Sequence, residues 1–159
     1  MSESATSRSP TPKVSAFLFM RYAFFKVAGK LIKIFILALV LNFIWEELHS
    51  RFYIQYQGEP ITHAILARAA FFDALIILIG AVFLLFLPPF LGRIWLVLTG
   101  LLMFAIGLEI FALATGRWQY NQSMPMIPVL GIGLTPTIQL ALLGFLSYSI
   151  FAVTGKGRR

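Results

Sequence analysis

The sequence predicts an all-α integral membrane protein, a bundle of four transmembrane helices with an amphipathic helix at the interface before the first. Of its 159 residues, 59% are hydrophobic and only 12% are charged, whereas a soluble domain carries about 25% charged residues. The apolar residues lie in long blocks, each near the ~20 residues that cross a bilayer. These blocks predict spans at about 34–53, 68–87, 94–115 and 135–153.

The two chain ends are polar. Residues 1–13 are rich in Ser, Thr and Pro, a composition that predicts a disordered tail. Residues 14–30 mix apolar side chains with three cations, which predicts the interfacial amphipathic helix. Residues 156–159 form a short basic tail. We therefore expect a single membrane domain over 14–155.

The connections between the spans differ in length and composition. Glu59-Pro60 predicts the start of the second helix, because Pro suits a first helical position. Pro88-Pro89 and Gly92 predict a short turn. The segment 116–134 is the longest connection, and its aromatic and apolar residues predict a loop that folds back over the bundle at the interface.

The distribution of Lys and Arg predicts the orientation. The tails, the interfacial segment, Lys33 and the 88–93 turn hold ten of the 13 cations, and the other two connections hold only Arg51, Arg68 and Arg117. The positive-inside rule then places both termini in the cytoplasm of a multi-pass protein of the cell membrane.

Composition also excludes several functions. The net charge of +7 lies in clusters that flank the spans, where it meets lipid headgroups, so a nucleic-acid partner is not expected. The absence of cysteine excludes thiolate metal sites and cysteine nucleophiles. No serine lies in a nucleophile-elbow motif.

Three predicted spans contain a carboxylate, and a fourth contains an amide. Glu46, Asp73 and Glu109 each lie within roughly 7–10 Å of the outer end of their helix, given a rise of ~1.5 Å per residue. Gln139 lies at a similar level in the fourth span. Because a charge at mid-bilayer costs at least ~2.5–3.5 kcal/mol, these residues predict a site.

The first span adds a polar stripe at helical spacing. Asn42, Glu46, His49 and Tyr53 are separated by four, three and four residues, which places them on one face of a continuous helix, with Trp45 beside it. Such a stripe is typical of a cavity wall. On this basis Glu46, Asp73, Glu109 and His49 are the predicted catalytic residues.

Six further residues are predicted to bind substrate or to orient the catalytic groups. Carboxyl groups in different surroundings can divide the acid and base roles, and aromatic rings can stabilise a cationic intermediate. The predicted substrate-binding residues are Asn42, Trp45, Trp118, Tyr120, Asn121 and Gln139.

Two other interpretations of the polar layer stay open. The carboxylates could hold helices together through hydrogen bonds, as intramembrane polar groups do. Alternatively, Glu46 and His49 could bind a metal, because a Glu-x-x-His pair supplies ligands in some helical bundles, and His63 could be a further ligand. We expect neither a metal nor another cofactor.

Residues 107–151 resemble the integral-membrane lycopene cyclase domain. The resemblance consists of Glu109, the segment Gly116-Arg117-Trp118-Gln119-Tyr120-Asn121, then Gly131-Ile132-Gly133-Leu134 and Pro136. It implies acid-initiated ring closure of linear carotenoids without net redox change. Family members have paired glutamates after that proline, whereas this chain has Thr137-Ile138-Gln139. The chain also resembles uncharacterised small bacterial membrane proteins, which implies no function.

The sequence thus supports two hypotheses from different classes. The first is a membrane-embedded enzyme that performs acid/base chemistry on an isoprenoid or another lipid. The second is a non-catalytic membrane protein, such as a complex subunit, an assembly factor or a small transporter component. Membrane lipids are the expected partners in both, the first adds a lipid-soluble substrate, and both are compatible with a homo- or hetero-oligomer within the membrane.

Overall fold

The computed structural model of the protein describes residues 12–86 and 93–153. Its elements are, in order, α1 (Pro12–His49), a 3-10 turn (Ser50–Phe52), β1 (Tyr53–Tyr56), α2 (His63–Phe86), α3 (Arg93–Ala114), β2 (Trp118–Tyr120), β3 (Met126–Ile127), β4 (Ile132–Gly133) and α4 (Leu134–Val153). The predicted turn at Pro88-Pro89 and Gly92, the basic tail 156–159 and the predicted disordered tail up to Thr11 lie outside the described residues.

Three of the described helices are long and apolar enough to cross a membrane: Phe17–Phe52, His63–Leu85 and Ile94–Ala114. Their length and composition indicate a membrane protein. The apolar part of α4, Leu134–Ile150, is shorter. The prediction of a fourth crossing therefore stays a prediction.

The N-terminal part of α1 forms a compact unit up to Lys30, and a second compact unit begins at Leu31. In the first unit, the side chains from Phe17 to Met20 are exposed, and the Arg21 guanidinium lies 5.8 Å from the centre of the Phe25 ring. Residues 12–49 form one continuous helix. A separate interfacial helix is not shown.

The core of the second unit is built from small and aliphatic side chains on all four helices. Ala38, Ala74 and Ile77 are fully buried. At Gly80, an added Cβ would lie 2.9 Å from Val97 on α3 and 2.5 Å from the Tyr148 hydroxyl on α4, so the absence of a side chain lets three helices approach. That hydroxyl donates to the Ile77 carbonyl at 2.6 Å.

Two short antiparallel ladders complete the unit. Strand β1 pairs with β2 in the register Tyr53↔Tyr120, Gln55↔Gln119 and Tyr56↔Trp118, and β3 pairs with β4. The described chain is mostly helical, as expected, but the connection 116–134, which the sequence predicted as a loop, contains three short strands. Backbone polar groups that leave the helices must find partners, and β-pairing provides them.

The predicted start of α2 was wrong, and so was the predicted place of Tyr53 on the helical polar stripe. Glu59-Pro60 does not start α2, because Gln57 (φ 53°) and Gly58 (φ 85°) form a tight turn that bonds Tyr56 to Glu59. The helix begins at His63, after Thr62, whose hydroxyl accepts a hydrogen bond from the Ile65 amide at 3.4 Å. The first helix ends at His49, so Tyr53 lies on β1 and not on the helical face with Asn42.

Candidate functional site

The amide of Gln139 is the centre of a polar cluster that joins three helices. Its Nε2 atom lies 3.1 Å from Asn42 Oδ1, 2.8 Å from Glu46 Oε1 and 3.0 Å from Asp73 Oδ2. Asn42 and Glu46 belong to α1, Asp73 to α2 and Gln139 to α4. The structure thus brings together three of the four residues that the sequence placed at one depth, and it adds Asn42 from the predicted polar stripe.

The cluster has fewer amide hydrogens than acceptors. The Asn42 Nδ2 group donates to the Ala38 carbonyl at 2.8 Å, which turns its Oδ1 atom toward Gln139. A primary amide nitrogen carries two hydrogens, but three acceptors surround it. Two of these are carboxylates, so a proton held by Glu46 or Asp73 would supply the missing donor. The cluster is therefore suited to hold a proton.

Glu109 is buried, with 4% exposure, and has a different partner. The Tyr120 hydroxyl donates to Glu109 Oε2 and accepts a hydrogen bond from the Gly133 amide at 3.1 Å. This chain of bonds connects α3 to β2 and β4. Burial, and then the bond to Glu109, raise the pKa of Tyr120. The phenol therefore remains a donor to the carboxylate.

Aromatic rings lie beside these carboxylates. The Tyr53 ring centre is 6.2 Å from that of Trp118 and 5.4 Å from that of Tyr120, and Tyr56 stacks on Trp118 at 6.5 Å. The Trp118 indole nitrogen approaches Glu109 and Tyr120 without the geometry of a hydrogen bond. Burial raises the pKa of Tyr53, with a further contribution from the carboxylates around it. The β1–β2 ladder fixes this aromatic cluster.

A cavity of about 630 Å³ adjoins the polar groups. Its volume lies within the ~300–1,000 Å³ range of small-molecule sites. Glu46, Asp73, Glu109 and Gln139 line it. The other lining residues include aromatic and aliphatic side chains and two arginines: Tyr53, Tyr56, Ile65, Arg68, Ala69, Phe72, Phe104, Leu108, Phe111, Arg117 and Trp118.

Of the ten predicted site residues, five line this cavity: Glu46, Asp73, Glu109, Trp118 and Gln139. Two others support residues that line it, since Asn42 bonds Gln139 and Tyr120 bonds Glu109. Asn121 has another position: its Nδ2 group donates to the Arg51 carbonyl, and its Oδ1 atom accepts from the Ser123 amide at 2.8 Å. Asn121 thus organises the loop.

His49 and Trp45 lie away from the cavity lining. His49 has 4% exposure, and neither of its ring nitrogens has a hydrogen-bond partner within the described chain. Its ring packs edge-on against Tyr53, with 5.0 Å between the centres, and tilts toward Trp45 at 6.4 Å. The structure therefore surrounds the predicted acid/base histidine with aromatic rings, without a bond to the carboxylates.

The arrangement of the described side chains gives little support to metal binding. Within residues 12–86 and 93–153, no group of three or more His, Asp or Glu side chains could hold an ion. His63, considered above as a further ligand, lies with its Nδ1 atom 2.7 Å from Glu47 Oε1 at an exposed position. A surface pair of this kind contributes little to stability.

Most of the cavity lining was absent from the predicted site, including the polar or aromatic residues Tyr53, Tyr56, Arg68 and Arg117. Tyr53 was predicted to lie on the polar stripe, and the two arginines entered only the count of cations that predicted the orientation. The sequence features that could have indicated them are the Tyr-x-x-Tyr pattern in one connection and the Arg-Trp pair in another. The pairing of β1 with β2 brings these two segments together.

Comparisons of the chain with protein-family models, with curated proteins and with solved structures find no match.

Proposed function

We propose that the protein is a membrane-embedded enzyme that performs acid/base chemistry on an isoprenoid or another lipid. The observation that carries this proposal is the cavity of about 630 Å³ that three carboxylates line. Helix adhesion alone does not require an adjoining space of this size. A site for a small molecule does.

The rim of the cavity suits a substrate that arrives from lipid. Four lining side chains on α2 and α3 are apolar and remain 37–56% exposed: Phe72, Phe104, Leu108 and Phe111. When α2 and α3 span a bilayer, these side chains face hydrocarbon. An apolar molecule can therefore enter sideways without crossing water.

The three carboxylates lie in two different environments, so one environment can supply the acid and the other the base. Glu109 accepts a hydrogen bond from a phenol, whereas Glu46 and Asp73 share one amide. In the proposed reaction, a protonated carboxylic acid of one environment adds its proton to an alkene carbon, and a carboxylate of the other removes a proton from a neighbouring carbon. The double bond shifts or a ring closes, with no net redox change. The Trp118 ring would stabilise the cation between these steps.

The resemblance to the integral-membrane lycopene cyclase domain agrees with this chemistry. Its acidic residue, Glu109, and its tyrosine, Tyr120, are bonded to each other, and its tryptophan, Trp118, lines the cavity. Where the family has paired glutamates, Gln139 bonds Glu46 and Asp73. These two carboxylates would supply the acid groups that the fourth helix lacks.

The proposal includes the topology. Four crossings with both termini in the cytoplasm would place the carboxylates in the extracytoplasmic half of the membrane. The excess of Lys and Arg in the tails and the 88–93 turn supports this orientation.

The test of the enzymatic proposal is conversion of a lipid. Lipids that co-purify with Glu109→Gln are incubated with the wild-type protein in nanodiscs, and chromatography with mass spectrometry follows them. We expect the wild type to convert one isoprenoid or other lipid to an isomer, and Glu109→Gln to convert none. Glu59→Gln removes an exposed carboxyl outside the cavity lining and should convert as the wild type does. Equal conversion by Glu109→Gln would refute the assignment.

A non-catalytic role has one observation in its favour: Gln139 bonds polar groups from two other helices, as a packing device would. In this case a partner protein should co-purify in stoichiometric amount, and no lipid should change on incubation. The same purification therefore separates the two hypotheses.

A further inference from the structure

Two exposed arginines line the cavity together with the carboxylates. Arg68 comes from α2, and Arg117 follows the end of α3. Neither forms an ion pair within the described part of the chain, where the salt bridge joins His63 to Glu47. Both guanidinium groups lie over aromatic rings, Arg68 5.6 Å from the centre of Tyr56 and Arg117 5.2 Å from that of Phe111. Each keeps unused donors at the cavity.

Both arginines lie next to the β1–β2 ladder. Tyr56, which Arg68 covers, stacks on Trp118, the neighbour of Arg117. The Arg117 carbonyl accepts a hydrogen bond from the Gln57 amide at 2.6 Å. Both arginines therefore belong to the lining next to the β1–β2 ladder, and both are exposed.

The cavity lining combines three kinds of side chain. The two arginines are exposed, the carboxylates Glu109 and Glu46 are buried and half-buried, and many of the other lining side chains are apolar. The arginines would repel a cationic ligand, and a fully apolar ligand would form no hydrogen bond with them. A ligand with an anionic head and an apolar chain would bind the arginines through its head and the apolar lining through its chain.

We propose that the cavity binds a phosphate-headed lipid, with Arg68 and Arg117 on the phosphate and the apolar chain inside. This proposal rests on the proposed function and names its substrate class. Guanidinium groups match the planar pairs of oxygens that a phosphate presents, and such charge-assisted bonds are roughly twice as strong as neutral ones. The head would anchor the molecule while its chain reaches Glu46, Asp73 and Glu109.

The test compares two probes that differ only in the phosphate: geranylgeranyl phosphate and geranylgeraniol. Binding to the wild-type protein in dodecyl maltoside micelles, whose head group contains no phosphate, is measured by calorimetry. We expect the phosphate to bind at least tenfold more tightly than the alcohol. Arg68→Gln with Arg117→Gln should remove that preference and leave the affinity for the alcohol within about twofold. Arg51→Gln, which also changes an exposed arginine over an aromatic ring but one outside this cavity, should keep it.

Three results would overturn the proposal. Equal affinity of the wild type for the two probes would do so without any variant, and this comparison does not depend on the folding of a mutant. An unchanged preference in the double variant would remove the arginines from the site. Inorganic phosphate alone, binding as tightly as geranylgeranyl phosphate, would show a free-phosphate site without a lipid chain.

The proposed function can fail separately. Selective binding of the phosphate without conversion of any lipid would support this inference and contradict the enzyme. Conversion of a lipid without a preference for the phosphate would support the enzyme and contradict the phosphate-headed lipid as its ligand.

Discussion

Gln139 shows how one side chain can define a site within a helical bundle. It is 4% exposed, and its amide nitrogen lies within 3.1 Å of an asparagine and two carboxylates on two other helices. Its position could be predicted, because depth along a helix follows from residue number. Its partners could not be selected from the sequence, because depth says nothing about which helical faces meet. His49 illustrates this limit, since it shares the predicted stripe with Glu46 but has no hydrogen-bond partner among the described residues.

Gln139→Leu should destabilise the protein. The substitution removes an amide nitrogen that lies within 3.1 Å of three acceptors and leaves those buried or half-buried polar groups without it. Each unsatisfied group costs about 1–3 kcal/mol, whereas intramembrane bonds average about 0.6 kcal/mol, so we expect a loss of about 2 kcal/mol. Unfolding in mixed micelles by added dodecyl sulfate measures it. Gln119→Leu, at an exposed position, is the control, and equal stability of the two variants would contradict the role of Gln139.

Tyr53 and Tyr120 should ionise late in an alkaline titration. Their pKa values are raised by burial and by nearby carboxylates, with Glu109 prominent for both. The folded state then keeps them neutral above pH ~10, where the unfolded state ionises. A raised folded-state pKa makes stability fall as pH rises through that range. The test compares the phenolate absorbance of the wild type with that of the double variant Tyr53→Phe/Tyr120→Phe. The difference between the two proteins should stay near zero up to pH ~10. A difference that develops at lower pH would be evidence against the buried pair.

At the scale of elements, the long apolar blocks predicted the helices but not the structure of the segments between them. The apolar parts of α2 and α3 are 23 and 21 residues long, which is enough to predict a helix that crosses a bilayer. The β1–β2 ladder joins residues 53–56 to residues 118–120, and no local pattern reveals such a distant pairing. This ladder carries Tyr56 and Trp118 to the cavity, so the part of the site that was missed depends on it.

Gly116 should be sensitive to substitution because it ends α3. It has φ 64°, and the Gly116 and Arg117 amides donate to the carbonyls of Leu113 and Ala112 at 3.1 and 2.8 Å, the pattern of a Schellman cap. Gly116→Ala should cost about 1–2 kcal/mol, because a Cβ disfavours left-handed backbone. Gly107→Ala, inside the helix and with open space around a new Cβ, should be neutral or stabilise by up to about 1 kcal/mol. Thermal unfolding measures both variants, and equal effects would rule out the cap.

At the scale of the whole molecule, the crossings can be tested by labelling, since the chain contains no cysteine. Single cysteines at Gln57 and Gln122 report on the connections after α1 and α3, and cysteines at Ser4 and Lys156 report on the tails. A membrane-impermeant maleimide applied to intact cells should label the first two and spare the last two. Labelling of only one tail would indicate an odd number of crossings.

In the proposed function, the cavity beside the three carboxylates holds a lipid-soluble molecule. Ala69 lines this cavity, whereas Ala67, two residues earlier on α2, is exposed and does not. The most direct measurement is mass spectrometry of lipids retained by the purified wild type, Ala69→Trp and Ala67→Trp. We predict that the wild type and Ala67→Trp retain one lipid in stoichiometric amount and that Ala69→Trp loses it. Retention of the same lipid by all three proteins, or by none, would contradict the account.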